Sequence, residues 1–567
     1  MHSSKPRNAA CWLVLLTCTV LAGCATKKTP EAIHGSAADD QLPADPQALV
    51  VGAEQALQRK QYLEGAKAYA RAAALSDDEA LAEQATKIAN DCRQPTWVLA
   101  SAERWLQLNP TNEDAQRFAG LAALQLYQID KAAEHFDKLL SSAYINVPAG
   151  FLALLPLLLQ EGTGPGATAV LQQLTAKHVA VAEAHYALAE AALQSENFAL
   201  ALRSAQRARE LSPTWTPAAL VLARAQVSAG NAAEALSIAH KAVAEDSKPG
   251  TQLEYAVMLM AVGKETEGRA ELQRLKDAGV GVLAAERALA LTEYQSGNYT
   301  AATQRFGTLA SSGAFVDESL FYLGAMAERR ESWDEALQLY QRVTTGDRAI
   351  AAQARVAHIK AQRVSLDKGM EHLQQFADSH PEDAVEMVAA QATLLANEKE
   401  QQKALARLDE GLAEYPDSQE LKFARGFLLA KMERIREAVA QMRDLVATRP
   451  GDPAALNALG YTLVDRTRQY REGFDLVHAA FEQTPDSGAV LDSLGWAQYR
   501  LGRPDEALQT LQRARERLQD PEVELHFAQV QAALKQTAQA RDTVTSALDR
   551  YPEDENLKKY ADRIKER

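Results

Sequence analysis

VLDSLGWAQYRLGRPDEALQTLQRA, residues 490–514, is the stretch that decides the fold of this chain. It predicts two helices joined by a tight turn, in which Gly502 ends the first helix and Pro504 begins the second. Ala507 is small enough to let the two helix backbones approach closely. A single hairpin of this kind leaves an apolar face uncovered, so it needs similar hairpins on both sides.

The small residue that opens the second helix recurs at a fixed period. Three pairs of alanines and one pair of prolines each lie 34 residues apart: Ala201 and Ala235, Ala302 and Ala336, Ala404 and Ala438, Pro416 and Pro450. With Leu-Gly in the first helix, Gly at the turn and Ala early in the second, the pattern resembles the tetratricopeptide repeat (TPR). The resemblance implies an all-α fold, a TPR superhelical solenoid of about 15 helix pairs.

The N-terminus carries a second resemblance. Lys5 and Arg7 precede an apolar run, residues 9–20, that has the length of a signal-peptide core and is too short to span a bilayer. The run ends in Leu-Ala-Gly-Cys at residues 21–24, which resembles the lipobox of bacterial lipoproteins. That resemblance implies cleavage before Cys24 and lipid attachment to its thiol, and Ala25 in place of Asp points to the outer membrane. The alternative is an ordinary secretory signal with a chance cysteine.

Composition divides the chain further. We expect a lipoprotein signal peptide at 1–23, a lipidated flexible tether at 24–46, divergent N-terminal helical repeats at 47–180, the TPR superhelix at 181–552 and a C-terminal capping helix at 553–567. The Leu-rich segment around Pro156 predicts a buried, kinked helix, with self-association or partner contact as the alternative.

Charge and residue types narrow the function. The formal net charge is −14 and aromatic residues make up only 6% of the chain. An acidic chain of this kind argues against nucleic acid as a partner. Of the four cysteines, only Cys92 lies beyond the first 24 residues. We expect it to be a small buried residue, and the alternative is a redox or intermolecular role.

No catalytic or metal-binding motif stands out. The HExxH and GxSxG motifs are absent from the sequence. His178 and His185 are predicted to lie on different helices, separated near residues 180–181. Ser365 and Lys368 fit the pattern SxxK, but Ser365 is expected to cap a helix. We therefore expect no enzyme activity, no metal and no cofactor.

Binding surfaces are expected instead. In the TPR family the inner face is built from a few positions on the first helix of each repeat, and aromatic residues and arginine are the types found at interaction hot spots. Carried over position by position, the resemblance gives eight candidate partner-binding residues: Arg287, Tyr294, Phe321, Phe423, Phe427, Tyr461, Trp496 and Tyr499. The alternative for each is packing against a neighbouring helix.

Taken together, the lipobox, the tether and the repeats resemble the TPR-rich outer-membrane lipoproteins of Gram-negative bacteria. Among these are adaptors of a periplasmic serine protease of the carboxyl-terminal processing family. The resemblance implies that the chain binds such a protease, brings it peptidoglycan cross-link hydrolases as clients, and is held to outer-membrane lipid through acylated Cys24. The alternative is a structural scaffold of an envelope-assembly or exopolysaccharide-export complex.

Overall fold

The computed structural model describes residues 45–142, 146–162 and 164–565. In these residues it contains 31 α-helices, one short 3-10 helix at Pro381–Asp383 and no β-strand. Consecutive helices make fifteen pairs followed by one last helix, which confirms the predicted all-α array of about 15 helix pairs. The predicted signal peptide, the lipidated Cys24 and nearly all of the tether lie outside the described residues.

The bounds of the helices follow the repeat closely. In the first half of the array the helices are α1 (Pro46–Gln58), α2 (Tyr62–Ala74), α3 (Glu79–Asp91), α4 (Pro95–Leu108), α5 (Glu113–Gln125), α6 (Ile129–Leu140), α7 (Val147–Glu161), α8 (Gly164–Lys177), α9 (Ala182–Gln194), α10 (Phe198–Leu211), α11 (Thr216–Ser228), α12 (Ala232–Glu245), α13 (Pro249–Ala261), α14 (Glu265–Asp277), α15 (Val282–Gln295) and α16 (Tyr299–Ser312). In the second half they are α17 (Val316–Arg329), α18 (Trp333–Tyr340), α19 (Ala349–Arg363), α20 (Leu366–Ser379), α21 (Ala384–Asn397), α22 (Gln401–Glu414), α23 (Gln419–Lys431), α24 (Ile435–Thr448), α25 (Pro453–Arg466), α26 (Tyr470–Phe481), α27 (Gly488–Arg500), α28 (Pro504–Arg517), α29 (Pro521–Ala533), α30 (Thr537–Arg550) and α31 (Glu555–Lys565).

The small residues of the repeat lie where helices cross. All six periodic alanines, and Ala507 as well, are 0% exposed. At the turn of the hairpin at 490–514, Gly502 has a φ of +81°, a conformation that residues with a side chain seldom adopt. Pro504 then occupies the first turn of α28, where its missing N–H costs no hydrogen bond.

The described residues fall into two compact units. Unit 1 comprises residues 91–94 and 214–432, and unit 2 comprises residues 45–90, 95–213 and 433–565. The predicted boundaries at 180/181 and 552/553 follow sequence divergence rather than compactness, and they stay predictions.

The Leu-rich segment forms α7, which continues through Pro156. Phe151 and Leu158 are fully buried in unit 2, whereas Leu152 is 40% exposed and Pro156 lies on the exposed side. The helix is therefore half-buried rather than buried all round. With 15 residues it is also short, and none of the helices in the described residues is long and apolar enough to cross a membrane.

Where two helices cross closely, a side chain in place of glycine would clash with the neighbouring helix. A Cβ on Gly324 in α17 would lie 2.8 Å from the ring of Tyr340, and the hydroxyl of Tyr340 donates to Glu328 at 3.0 Å. Because this ring is held at both ends, we expect Gly324→Val to lower the free energy of unfolding by about 1–3 kcal/mol in urea titrations. Gly307→Ala in α16 is the control, since no atom lies within 4 Å of the added Cβ and helix propensity improves. Equal destabilisation by both changes would contradict this account of the crossing.

Candidate protein-binding surfaces

Arg287 is held on the surface of unit 1 by a carboxylate and a ring. Its Nη2 donates to Oε1 of Glu318 at 2.8 Å, and its Nε donates to the other oxygen of the same carboxylate. The guanidinium carbon lies 5.1 Å from the ring centroid of Phe315. The hydrogen bonds to Glu318 raise the pKa of Arg287 above its ordinary value. Arg287 is still 41% exposed and Phe315 42%, so together they present a cation and an aromatic face to solvent.

The rings of Tyr294 and Phe321 both contact the ring of Tyr322. The ring centroid of Tyr322 lies 4.8 Å from Tyr294 and 5.6 Å from Phe321. Phe321 and Tyr322 are only 7% and 5% exposed, so both mainly pack against other helices. The guanidinium carbon of Arg348 lies 5.5 Å from the ring centroid of Phe321, and its Nη2 donates to the Tyr322 hydroxyl at 3.3 Å. The structure thus places an arginine beside Phe321, which the sequence had suggested as a partner-binding residue.

Sequence reasoning missed Phe315 and Arg348, because both precede a first helix instead of lying within one. Phe315 lies in the turn before α17 with a φ of +51°, and Arg348 is the residue before α19. A large apolar residue in a turn between two clear helices was the available signal for Phe315. No comparable signal marks Arg348.

Phe423 and Phe427 lie one turn apart on α23 in unit 1. Their ring centroids are 6.1 Å apart with an angle of 20° between the planes. Phe423 is 1% exposed, whereas Phe427 is 43% exposed. The buried ring thus supports the exposed one, and Phe427 is the candidate with the largest apolar surface open to a partner.

In unit 2, the first helices α25, α27 and α29 bring the remaining candidates together. Trp496 stacks on the imidazole of His526, with ring centroids 4.2 Å apart, and its Nε1 donates to Oδ1 of Asp465 at 3.2 Å. Tyr499 lies 5.2 Å from the Trp496 ring. The hydroxyl of Tyr461 donates to Glu522. Trp496 is 6% exposed, so its role in this α25–α29 cluster is mainly packing.

The α25–α29 cluster encloses a buried charge. Nδ1 of His526 lies 3.0 Å from each carboxylate oxygen of Asp492, and both side chains are buried. Burial alone would lower the pKa of His526, but the carboxylates of Asp492, Glu522 and Asp465 raise it above its ordinary value of 6.5. Burial, with Glu522 next in effect, raises the pKa of Tyr461 well above 10. The folded state therefore favours an imidazolium at this position.

This imidazolium makes stability depend on pH. Because folding raises the pKa of His526, the stabilisation is fully present below pH 6.5 and is lost as the pH rises through the folded-state pKa. We expect the urea midpoint of unit 2 to fall between pH 6 and pH 8, and Asp492→Asn to remove that dependence. The control is His478→Gln on α26, whose imidazole is about half exposed and 3.9 Å from Glu482. A slope that survives Asp492→Asn would assign the pH dependence to another group.

The motifs weighed for catalysis have structural roles. Residues 178–181 separate α8 from α9, as predicted; His178 pairs with Asp137 at 3.3 Å, and His185 contacts the carbonyl of Val179 at 3.1 Å. Among the described residues, no group of three or more His, Cys, Asp or Glu side chains is arranged to hold a metal ion.

Ser365 is the N-cap of α20, as the sequence predicted. Its hydroxyl accepts the N–H of Lys368 at 3.3 Å, while the ammonium of Lys368 lies 2.6 Å from Glu371. Cys92 is 7% exposed in unit 1, and burial, followed by the charges of Asp91 and Glu414, raises the pKa of its thiol to about 12. A thiol so hard to ionise is a poor nucleophile.

A known family profile matches several of the helix pairs. The profile described as "Tetratricopeptide repeat" matches residues 152–214, 287–354, 462–521 and 493–555. These segments are tetratricopeptide repeats. They include five of the eight candidate residues, namely Arg287, Tyr294, Phe321, Trp496 and Tyr499. TPR proteins bind protein partners in general, so the repeats suit the chain to protein–protein interaction.

A curated relative also contains TPR repeats. The "TPR repeat-containing protein PA4667" of Pseudomonas aeruginosa is 34% identical over 214 residues, which are 38% of this chain. The match covers 36% of the length of that protein.

Solved structures resemble the chain only loosely. TTC0263 of Thermus thermophilus is 18% identical, with a TM-score of 0.30 over 32% of this chain and 98% of its own. A tetratricopeptide repeat protein of Parabacteroides merdae is 14% identical, with a TM-score of 0.33 over 44% of this chain and 98% of its own. Yeast Tom70 is 13% identical, with a TM-score of 0.28 over 90% of this chain and 99% of its own.

Proposed function

We propose that the chain is a non-catalytic TPR lipoprotein adaptor. It binds a periplasmic serine protease of the carboxyl-terminal processing family and delivers peptidoglycan cross-link hydrolases to it for degradation. The observation that carries the proposal is the presence of two exposed surfaces in unit 1: Arg287 with the ring of Phe315, and Phe427 on α23. An adaptor needs at least two such surfaces, one for the enzyme and one for its client.

The mechanism is co-localisation. Two proteins held on one chain meet at an effective concentration set by the distance between their sites, which reaches the millimolar range for short connections. A client bound near the protease is therefore cleaved at concentrations where free encounters are rare. The adaptor needs no catalytic group of its own for this effect.

The proposal extends to the location of the chain. The order of lipobox, tether and repeats resembles that of LbcA, the lipoprotein adaptor of the carboxyl-terminal processing protease CtpA. By that resemblance, acyl chains on Cys24 anchor the protein in the outer membrane with its repeats in the periplasm. More than one acyl chain is needed for stable anchoring, since each buried methylene group contributes only about 0.8 kcal/mol to membrane binding.

The first test is affinity capture. The chain from residue 25 onward, without its lipid, is immobilised and exposed to an envelope extract, and bound proteins are identified by mass spectrometry. Recovery of a carboxyl-terminal processing protease together with cell-wall hydrolases supports the adaptor. Recovery of secretion or polysaccharide-export components without a protease would favour the scaffold and contradict the proposal.

A further inference from the structure

Unit 2 contains two contacts between turns that are far apart in the chain. The first is centred on Arg449, which follows α24 and is 5% exposed. Its Nε donates to Oδ2 of Asp452 at 2.7 Å, and its Nη1 donates to the backbone carbonyl of Gln125. The guanidinium carbon also lies 4.9 Å from the ring centroid of Tyr127. One side chain thus joins the end of α24 to the end of α5.

Arg449 binds a carbonyl at the C-terminal end of a helix, where a hydrogen-bond donor is needed. Gln125 is the last residue of α5, and the last four carbonyls of an α-helix have no partner within the helix. A cation at that end also complements the helix dipole. Arg449 therefore caps a helix that lies 324 residues away in the sequence.

The second contact has the opposite polarity, with an anionic side chain at the N-terminus of a helix. Oδ2 of Asp486, in the turn before α27, accepts the backbone N–H of Phe198 at 3.2 Å. Phe198 is the first residue of α10, so this N–H lacks a partner within its own helix. The N–H of Asp486 donates to the carbonyl of Glu196 at 3.1 Å, and the side-chain amide of Asn197 donates to the carbonyl of Gln483 at 2.8 Å.

Each of these contacts involves only a few residues, and the Arg449 contact requires two charged groups to lose their hydration. They join turns and helix ends, whereas the hydrophobic clusters around Tyr69 and around Val477 in unit 2 are built from helices adjacent in the sequence. Burial lowers the pKa of Arg449 to about 10 and raises that of Asp452 to about 7. The ion pair therefore recovers only part of the hydration that both groups lose. Opening the contact returns this hydration and leaves the packing within each hairpin untouched.

We propose that the Arg449 and Asp486 contacts form a clasp within unit 2 that holds residues 433–565 against residues 95–213 and that opens with the helical hairpins intact. The clasp is a conformational device of the repeat array, independent of which partner the surfaces bind. When it opens, the C-terminal end of α5 and the N-terminal end of α10 become accessible to other capping groups.

The test combines Arg449→Leu with Asp486→Ala in the chain from residue 25 onward. Spin labels are placed at Lys138→Cys in α6 and Gln512→Cys in α28, in a Cys92→Ala background, and their separation is measured by pulsed electron paramagnetic resonance. The parent is expected to show one narrow distance distribution. The double variant is expected to show a second, longer one with unchanged helical circular dichroism.

A matched control separates the clasp from general loss of charge. Arg443→Leu with Asp475→Ala changes the same residue types in the same region, but their partners, Glu472 and Arg471, are local. This control is expected to keep the distance of the parent. An unchanged distance in the Arg449/Asp486 variant would overturn the clasp, and so would a loss of helical signal that accompanies the longer distance.

Hydrogen exchange gives a second readout that does not depend on the buried ion pair. Asp486→Ala alone removes the charged acceptor of the Phe198 amide, so exchange of that amide is expected to accelerate by roughly tenfold or more. Exchange at the rate of the parent would show that Asp486 does not hold α10, and the proposal would fail.

Discussion

Phe427→Ala is expected to weaken partner binding by roughly 30-fold, a loss of about 2 kcal/mol, while leaving the unfolding curve unchanged. The ring is 43% exposed on α23 and rests on buried Phe423, so it offers a partner a rigid apolar surface. The measurement is the Kd of the captured protease or client for the parent and the variant. Urea titrations of both proteins accompany it.

The matched control lies one turn away on the same helix. Phe423 is the same residue type but is 1% exposed, so Phe423→Ala should lower the free energy of unfolding by about 3–5 kcal/mol. Opposite effects of the two changes would separate binding from packing. If Phe427→Ala destabilises as much as Phe423→Ala, or leaves every partner bound as before, Phe427 is not a binding residue.

Trp496→Ala is expected to lower stability as much as Phe423→Ala does. Its indole is 6% exposed, stacks on His526 and donates to Asp465. Removing it leaves a cavity and takes one hydrogen-bond donor from Asp465, which keeps its ion pair with Arg466, so the free energy of unfolding of the surrounding repeats should fall by about 3–5 kcal/mol. Urea unfolding followed by tyrosine fluorescence and circular dichroism measures this change.

Half-buried Tyr499 provides the comparison for Trp496, since Tyr499→Ala removes a ring that is still in contact with solvent. We expect a smaller loss of stability for it. A Trp496→Ala protein that unfolds like the parent but no longer captures its partner would contradict the packing role and restore Trp496 as a binding residue.

The sequence predicted the fold well because a repeat encodes contacts between neighbours. The 34-residue period of small residues specifies where helices cross, and Ala302 and Ala336 are both fully buried at such crossings. Gly502 and Pro504 mark a turn through their own backbone preferences. These signals are local, and the structure realises them one hairpin at a time.

The sequence could not rank the binding candidates. Phe423 and Phe427 lie on the same side of one helix and have the same side chain, yet only one is open to solvent. Their exposure depends on how the neighbouring helices cover each turn, and the period of the repeat does not contain that information. The same limit applies to Phe321, which mostly packs against other helices in unit 1.

Long-range contacts were also beyond the sequence. Arg449 follows a helix in a position where a surface arginine is expected, and nothing near it points to Gln125. The clasp depends on turns brought together by the accumulated geometry of many repeats, so it emerges only in the folded chain.

The central claim, delivery of clients to a protease, is tested most directly by reconstituted degradation. A purified carboxyl-terminal processing protease and a peptidoglycan cross-link hydrolase are mixed with and without the chain from residue 25 onward. Both are kept at concentrations well below the Kd of their direct interaction. The account predicts hydrolase cleavage at least tenfold faster with the chain present and slower again with Phe427→Ala, as expected when co-localisation sets the rate. Cleavage at the same rate with and without the chain would contradict it.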